Sequence, residues 1–405
     1  MVKKIFQINS VLNIGSTGRI TEEIGSIAID SGWESHIAAG RISGESRSNV
    51  IRIGKDLDFY AHVLKTRLFD LHGFGSEAAT RKLVNDIGKI DPDVIVLHNL
   101  HGYYVNIELL FSFLKECNKP IFWTLYDCWS FTGHCAYFDM VGCEKWKSGC
   151  FECPSSRSYP SSLLKDNSQL NYLSKREIFN GVKNLNMIVH SNWLAKQINN
   201  SFLKEYPVKI IRNGVNLSLF KPSPESKLKE QLNISDKFVI LGVANIWSTR
   251  KGMRDFIELS DHLSDDEVII LDGAGKKLKN CPNSNIIPLD KAKTVGALSE
   301  LYSIADVFIN PTWEDNFPTT NLEALACGTP VITYDTGGSP EAIDESTGFV
   351  VSRGDIKEII ESIKTIRSRG VDFYRLNCVE RAKKFFDYRE RYGEYVEFFD
   401  EVLSL

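Results

Sequence analysis

Two adjacent cations before a glycine, Arg250-Lys251-Gly252, and two acids spaced as Asp315-x7-Glu323 are the residues of this chain best suited to hold a charged small molecule. Cations at a helix start oppose the helix dipole unless an anion sits between them and the free backbone N–H groups. A diphosphate would resolve that conflict; a solvated Arg-Lys pair on the surface is the other reading. Carboxylates accept well from the hydroxyl pairs of a sugar or ribose. In the stretch from Asn310 to Val331 a strand is predicted to end in an acidic loop. Pro318 and Thr319 then open a short helix, Glu323 lies about a turn inside it, and Gly328 is placed to stop it. The spacing also fits a helix charge plus an unrelated surface acid. Two further turns expose backbone: Gly15 to Gly18 after the first strand, and Gly337-Gly338-Ser339-Pro340-Glu341 after a later one. The first lacks the dinucleotide glycine spacing, and a tight turn needs glycine in any case.

A second concentration of chemistry lies between residues 128 and 160. Five of the nine cysteines fall there, and four of them, Cys135, Cys143, Cys150 and Cys153, are spaced as C-x7-C-x6-C-x2-C. The last pair has chelating spacing and two more thiols complete a tetrahedral set, so a structural zinc is the favoured expectation. Disulfides and free packed thiols are the other readings. Trp129, Tyr137 and Trp146 stand in the same stretch and are expected to meet a ligand.

These loops need elements to carry them. Short β-branched runs at Lys4 to Asn9, Ser35 to Ala39, Asp93 to His98, Ile121 to Tyr126, Met187 to His190 and Lys209 to Arg212 alternate with helical spacings such as Ile20, Ile24, Ile27. That alternation predicts βαβ units around a parallel sheet. The rhythm restarts after a polar stretch, Phe220 to Ser226, read as a linker. New strands follow at Phe238 to Val243, Val268 to Leu271, Asp306 to Asn310 and Pro330 to Tyr334, with a helix at Thr294 to Ile304. The fold class is therefore α/β, two doubly wound Rossmann-like domains facing a cleft: residues 1–218, then 219–385. Tyr392, Tyr395, Val396, Phe399 and Val402 form an apolar stripe on a last helix that must dock on something.

The 405 residues have average globular composition, 43% hydrophobic and 25% charged, with formal net charge -4. That balance argues against nucleic acid as a partner. The N-terminus turns polar too soon for a signal-peptide core, and no run approaches the ~18 apolar residues of a spanning helix. The expected location is the cytoplasm, with any membrane contact peripheral.

Together, Asp315-x7-Glu323 with the Ala-Leu-Ala-Cys-Gly-Thr-Pro-Val that follows, Arg250-Lys251-Gly252, Asn213-Gly214-Val215-Asn216 with Phe220 and Pro222, and Gly337 to Glu341 resemble the retaining GT-B glycosyltransferases of group 1 (family 4). The stretch from Trp123 to Pro154 looks like an insertion of the colanic-acid and O-antigen type transferases. The resemblance implies that Glu323 binds the donor ribose, Asp315 faces the donor sugar, and Arg250 and Lys251 neutralise a nucleoside diphosphate. Gly15, Asn316, Phe317, Pro318, Thr319 and Thr320 are the further donor contacts it implies. It implies sugar transfer with retention to a saccharide or lipid-linked saccharide in surface polysaccharide synthesis, without a catalytic metal, and a helix at 386–405 crossing back to the first domain. Two positions depart from the family pattern. The first acid is usually Glu, and Glu314 stands beside Asp315; Tyr126 occupies a position where the family commonly has His. Acceptor or sugar contacts are expected from Tyr126, Asp127, His98 and Trp129, with His101 nearby. A catalytically silent or epimerase-like nucleotide-sugar binder is the alternative function.

Overall fold

The protein is described by a computed structural model covering residues 2–278 and 284–405. Its chain divides into two compact units, Met1–Arg212 with Tyr392–Leu405, and Asn213–Arg391. The break comes before the expected 218 because residue 215 is tied to the second unit: Val215 N–H donates to Phe386 O, and Tyr388 N–H donates to Val215 O.

The first unit holds β1 (Lys4–Leu12), β2 (Glu34–Ile42), β3 (Asn49–Arg52), β4 (Val94–Leu97), β5 (Ile121–Leu125), β6 (Leu185–Val189) and β7 (Val208–Ile210), ordered β3-β2-β1-β4-β5-β6-β7. The second holds β8 (Phe238–Val243), β9 (Glu267–Asp272), β10 (Ile286–Leu289), β11 (Val307–Asn310), β12 (Val331–Tyr334) and β13 (Gly348–Val351), ordered β10-β9-β8-β11-β12-β13. Every pairing between these strands is parallel. The central strands read as continuous apolar runs because helices cover both faces: VIVL in β4 and IFWTL in β5 are buried throughout.

Strand order reverses between β1 and β4 in the first sheet and between β8 and β11 in the second. At such a switch point the loops leaving neighbouring strands turn to opposite faces and open a crevice beyond the carboxyl ends. The Arg250-Lys251 turn and the Asp315 loop flank the switch point of the second sheet. The loops leaving β4 and β5, with His98, His101, Tyr126 and Asp127, stand at that of the first.

Three strands escaped the sequence reading: β3, β10 and β13. All are short edge strands of four residues and partly exposed. The supposed linker is not free either. Phe220 is buried and packs 6.3 Å from the Tyr302 ring, and Ser299 and Ser303 hydroxyls donate to Lys221 O. The last helix spans Tyr388–Leu403 and buries Tyr392, Tyr395, Val396 and Phe399. Phe399 lies 4.6 Å from Phe122 of β5 and 6.2 Å from Trp33, all within the first unit. Burial of such side chains contributes about 2 kcal/mol each, which explains the apolar stripe.

Candidate active site

In the second unit the turn after β8 and the loop after β11 are bound to each other. Lys251 Nζ lies 2.5 Å from Asp315 Oδ2. Arg250 Nη1 donates to the Glu314 carbonyl at 2.7 Å, and the Arg250 carbonyl accepts from Trp313 N–H at 2.8 Å. Burial pushes the Asp315 carboxyl up, but the Lys251 and Arg250 cations and the Lys251 hydrogen bond outweigh it, so its pKa lies below the ordinary value. The two cations expected to face an anion are thus held against an acidic loop. Of the neighbouring acids, Asp315 takes the lysine, whereas Arg250 uses the Glu314 backbone.

The turn after β12 closes on the same loop. Gly337 has φ +57, and a Cβ there would stand 1.6 Å from the Asp315 carbonyl oxygen. Only glycine permits that approach. Behind the loop a buried polar network fixes the helix Thr319–Ala326: Asn310 Nδ2 donates to Asn321 Oδ1, Asn321 Nδ2 donates to Ser339 O and Oγ, and Thr333 Oγ1 donates to Asn310 O. Pro318 occupies its N-cap position with Thr319 and Thr320 as the first helical residues. Glu323 is 4% exposed, and its Oε2 accepts from Tyr302 Oη at 3.1 Å. Asn316 and Phe317 are buried, and the Phe317 carbonyl accepts from Asn213 Nδ2. That last bond gives the Asn213-Gly214 motif a local purpose: it braces the acidic loop.

In the first unit Gly15 opens the helix Gly15–Asp30 at φ +65, with no atom within 4 Å of where a Cβ would sit. His98 is fully buried, its Nδ1 bonded to Tyr126 Oη at 2.9 Å and its Nε2 to Gln7 Oε1 at 3.0 Å. Both ring nitrogens are therefore engaged, and His98 holds Tyr126 in place. Burial drives its pKa down to about 3. The Tyr126 ring lies 4.9 Å from His190, and burial lifts its phenol well above the ordinary value.

Asp127 is differently placed. One carboxylate oxygen accepts Trp129 N–H at 2.9 Å and the other lies 2.7 Å from His101 Nε2, whose Nδ1 meets Tyr159 Oη at 2.9 Å. This Asp127–His101–Tyr159 chain, at the switch point of the first sheet, keeps side chains about one-tenth exposed for the pair. His101 could be suspected from its position after β4; Tyr159, remote in sequence, gave no signal. Trp129 departs from expectation. Its indole is buried under Lys175, whose Nζ sits 3.5 Å from the ring centroid and donates to the Trp129 and Thr132 carbonyls. Trp146 is likewise core, stacked 4.7 Å from Phe138. An insertion with almost no regular structure is anchored by these aromatics, which join the core of the first unit. Burial lowers the Lys175 pKa to about 7.

The four cysteines line one small cavity with His134, but among the described residues no group of three or more His, Cys, Asp or Glu side chains stands as a ready metal-ligand set.

Residues 224–385 match the family model described as Glycosyl transferases group 1. The chain is 25% identical over 425 residues to the putative colanic acid biosynthesis glycosyl transferase WcaC of Escherichia coli (strain K12), covering 98% of this chain and 100% of that one. It is 29% identical over 199 residues to the N,N'-diacetylbacillosaminyl-diphospho-undecaprenol alpha-1,3-N-acetylgalactosaminyltransferase of Campylobacter jejuni, covering 46% of this chain and 52% of that protein. Among solved structures it resembles Anabaena HepE in complex with UDP, with TM-score 0.67 and 16% identity over 99% of this chain and 100% of that chain. The switch-point loops and the two parallel sheets agree with these matches: this chain has the GT-B fold, and its residues 224–385 are similar to the glycosyl transferases group 1 family.

Proposed function

We propose that the protein transfers a sugar from a nucleoside diphosphate sugar to a saccharide acceptor, with retention at the anomeric carbon. The observation that carries this reading is the cation pair Arg250-Lys251 held against the Asp315 loop, at the switch point of the sheet within the matched family region. A donor diphosphate arriving there would compete with Asp315 for Lys251. Positive charge fixed beforehand offsets the charge that develops as the diphosphate departs, and it needs no rearrangement at that moment. Glu323, steadied by Tyr302, would take the ribose hydroxyls, and Asp315 the donor sugar. The complex of HepE with UDP supports the donor class.

In the first unit the Asp127–His101 pair would orient an acceptor hydroxyl. The bond from the anomeric carbon to the phosphate oxygen breaks as the acceptor oxygen attacks from the same face, and the acceptor proton passes to the leaving phosphate. No covalent enzyme intermediate is invoked. The names of the Escherichia coli and Campylobacter relatives support a polysaccharide or lipid-linked acceptor. No helix among the described residues is long and apolar enough to cross a membrane. Leu57, Tyr60 and Leu64, at 80%, 67% and 59% exposure, share one face of the helix Asp56–Phe69, and Leu163 N–H donates to Arg67 O at its end. This face would rest on the lipid surface. Leu57→Gln/Leu64→Gln should weaken sedimentation with anionic phospholipid vesicles, and equal sedimentation would refute the contact.

The transfer itself is tested by incubating the protein with nucleotide sugars and lipid-linked saccharides and determining the product anomer by NMR. A product with the donor's anomeric configuration is expected. An inverted product would overturn retention, and donor conversion without any acceptor would favour an epimerase.

A further inference from the structure

The cavity inside the insertion, about 10 Å³, is lined by Cys135, Cys143, Cys150, Cys153 and His134. Its room is that of a single small atom or ion. None of these thiols is in a disulfide. His134 carries the second observation. Its side chain is fully buried, Nδ1 is held 2.5 Å from Asp70 Oδ1, and Nε2 is buried without a hydrogen-bond partner. Leaving a ring nitrogen unpaired in the interior is costly, and such atoms call for a partner that appears in the working state. The backbone shows the same bias toward sulfur: Gly133 N–H donates to Cys150 Sγ at 3.2 Å.

We propose that Cys135, Cys143, Cys150 and Cys153 bind one structural zinc ion as thiolates, with His134 as their second-sphere hydrogen-bond donor. Four thiolates around a divalent cation leave a double negative charge, which N–H donors must offset. Gly133 N–H supplies one. His134, held by the Asp70 carboxylate as an imidazolium with a hydrogen on each ring nitrogen, supplies another through Nε2, which gains the partner it lacks. The Cys135 thiol is now hydrogen-bonded to Cys153, so the four sulfurs are not yet a ligand set. Rotation about their Cα–Cβ bonds is what metal binding requires of them. Each of the four thiols loses its proton on binding, and no electron is transferred. The ion would tie together a segment that carries only two short 3₁₀ turns between β5 and residue 168.

Metal analysis of the full-length protein, purified after growth with zinc, tests this. One zinc per chain is expected. Replacement by cobalt(II) should give the visible absorption of tetrahedral thiolate cobalt. Cys150→Ser and Cys153→Ser should lose the metal, whereas Cys117→Ser, outside the cluster, should keep it. His134→Gln should keep one zinc but release it to a chelator about 10–100-fold more readily. Metal-free protein with all four thiols titrating would overturn the proposal, as would a Cys135–Cys153 disulfide found by mass spectrometry. Loss of zinc stoichiometry in His134→Gln would make the histidine a ligand and overturn its second-sphere role.

Discussion

Gly337 shows how much of the site depends on single atoms. With φ +57 and the Asp315 carbonyl 1.6 Å from any Cβ, Gly337→Ala cannot keep both turns where they are. The backbone conformation alone costs an alanine about 1–2 kcal/mol, and the clash must push the Asp315 loop away from Lys251. We expect this variant to stay folded, to melt at lower temperature, and to lose affinity for a donor diphosphate; an unchanged donor Kd would refute the coupling. Such roles were only partly legible in the residues. The Gly337-Gly338 pair announced a backbone-exposing turn, yet nothing in its spacing revealed that it closes on Asp315. His98 and Trp129 looked like ligand contacts because they lie just after strands. Both are buried, His98 between Tyr126 and Gln7 and Trp129 beneath Lys175, and burial of a loop residue depends on elements far away in the chain.

Helices and strands were more readable, since a parallel sheet covered on both faces writes itself as apolar runs separated by helical periods. β4 and β5 were plain on that ground, while the four-residue edge strands β3, β10 and β13 were missed, β10 and β13 despite apolar runs of their own. The helix Thr319–Ala326 was legible from Pro318, Glu323 and Gly328, but not the network that seats it. Asn321→Ala would leave Asn310 Nδ2 without this partner and remove two bonds to Ser339, whose hydroxyl keeps Thr333 Oγ1. We expect a loss of about 2–4 kcal/mol in the stability of the second unit, read as a lower urea midpoint at unchanged slope; a loss below about 0.5 kcal/mol would contradict the seating role. The insertion after β5 follows a different rule. Its aromatics pack into the core of the first unit, Trp129 under Lys175, so the same residue types that suggest recognition serve packing.

Taken whole, the first unit is sensitive to acid for an identifiable reason. Burial holds His62 and His190 down to about 4 and His98 to about 3, against an ordinary value near 6.5. Between pH 6.5 and 4 the unfolded chain binds protons that the folded one refuses. Stability therefore rises with pH through that window and falls as pH drops, by about 1.4 kcal/mol per histidine per pH unit. Asp315, with its lowered pKa, acts in the same direction at still lower pH in the second unit. Its contribution is present above the unfolded carboxyl pKa and lost as pH falls through the folded one. Urea midpoints measured from pH 7 to pH 4.5 should decline steeply, and a flat profile would contradict the burial of these rings. The central claim concerns the grip of Arg250, Lys251 and Glu323 on a nucleoside diphosphate sugar, and thermal denaturation with a panel of such donors tests it most directly. The account predicts that at least one donor raises the melting temperature of the native protein, and that the rise disappears in Arg250→Ala/Lys251→Ala and in Glu323→Ala. An undiminished rise in both variants would contradict it.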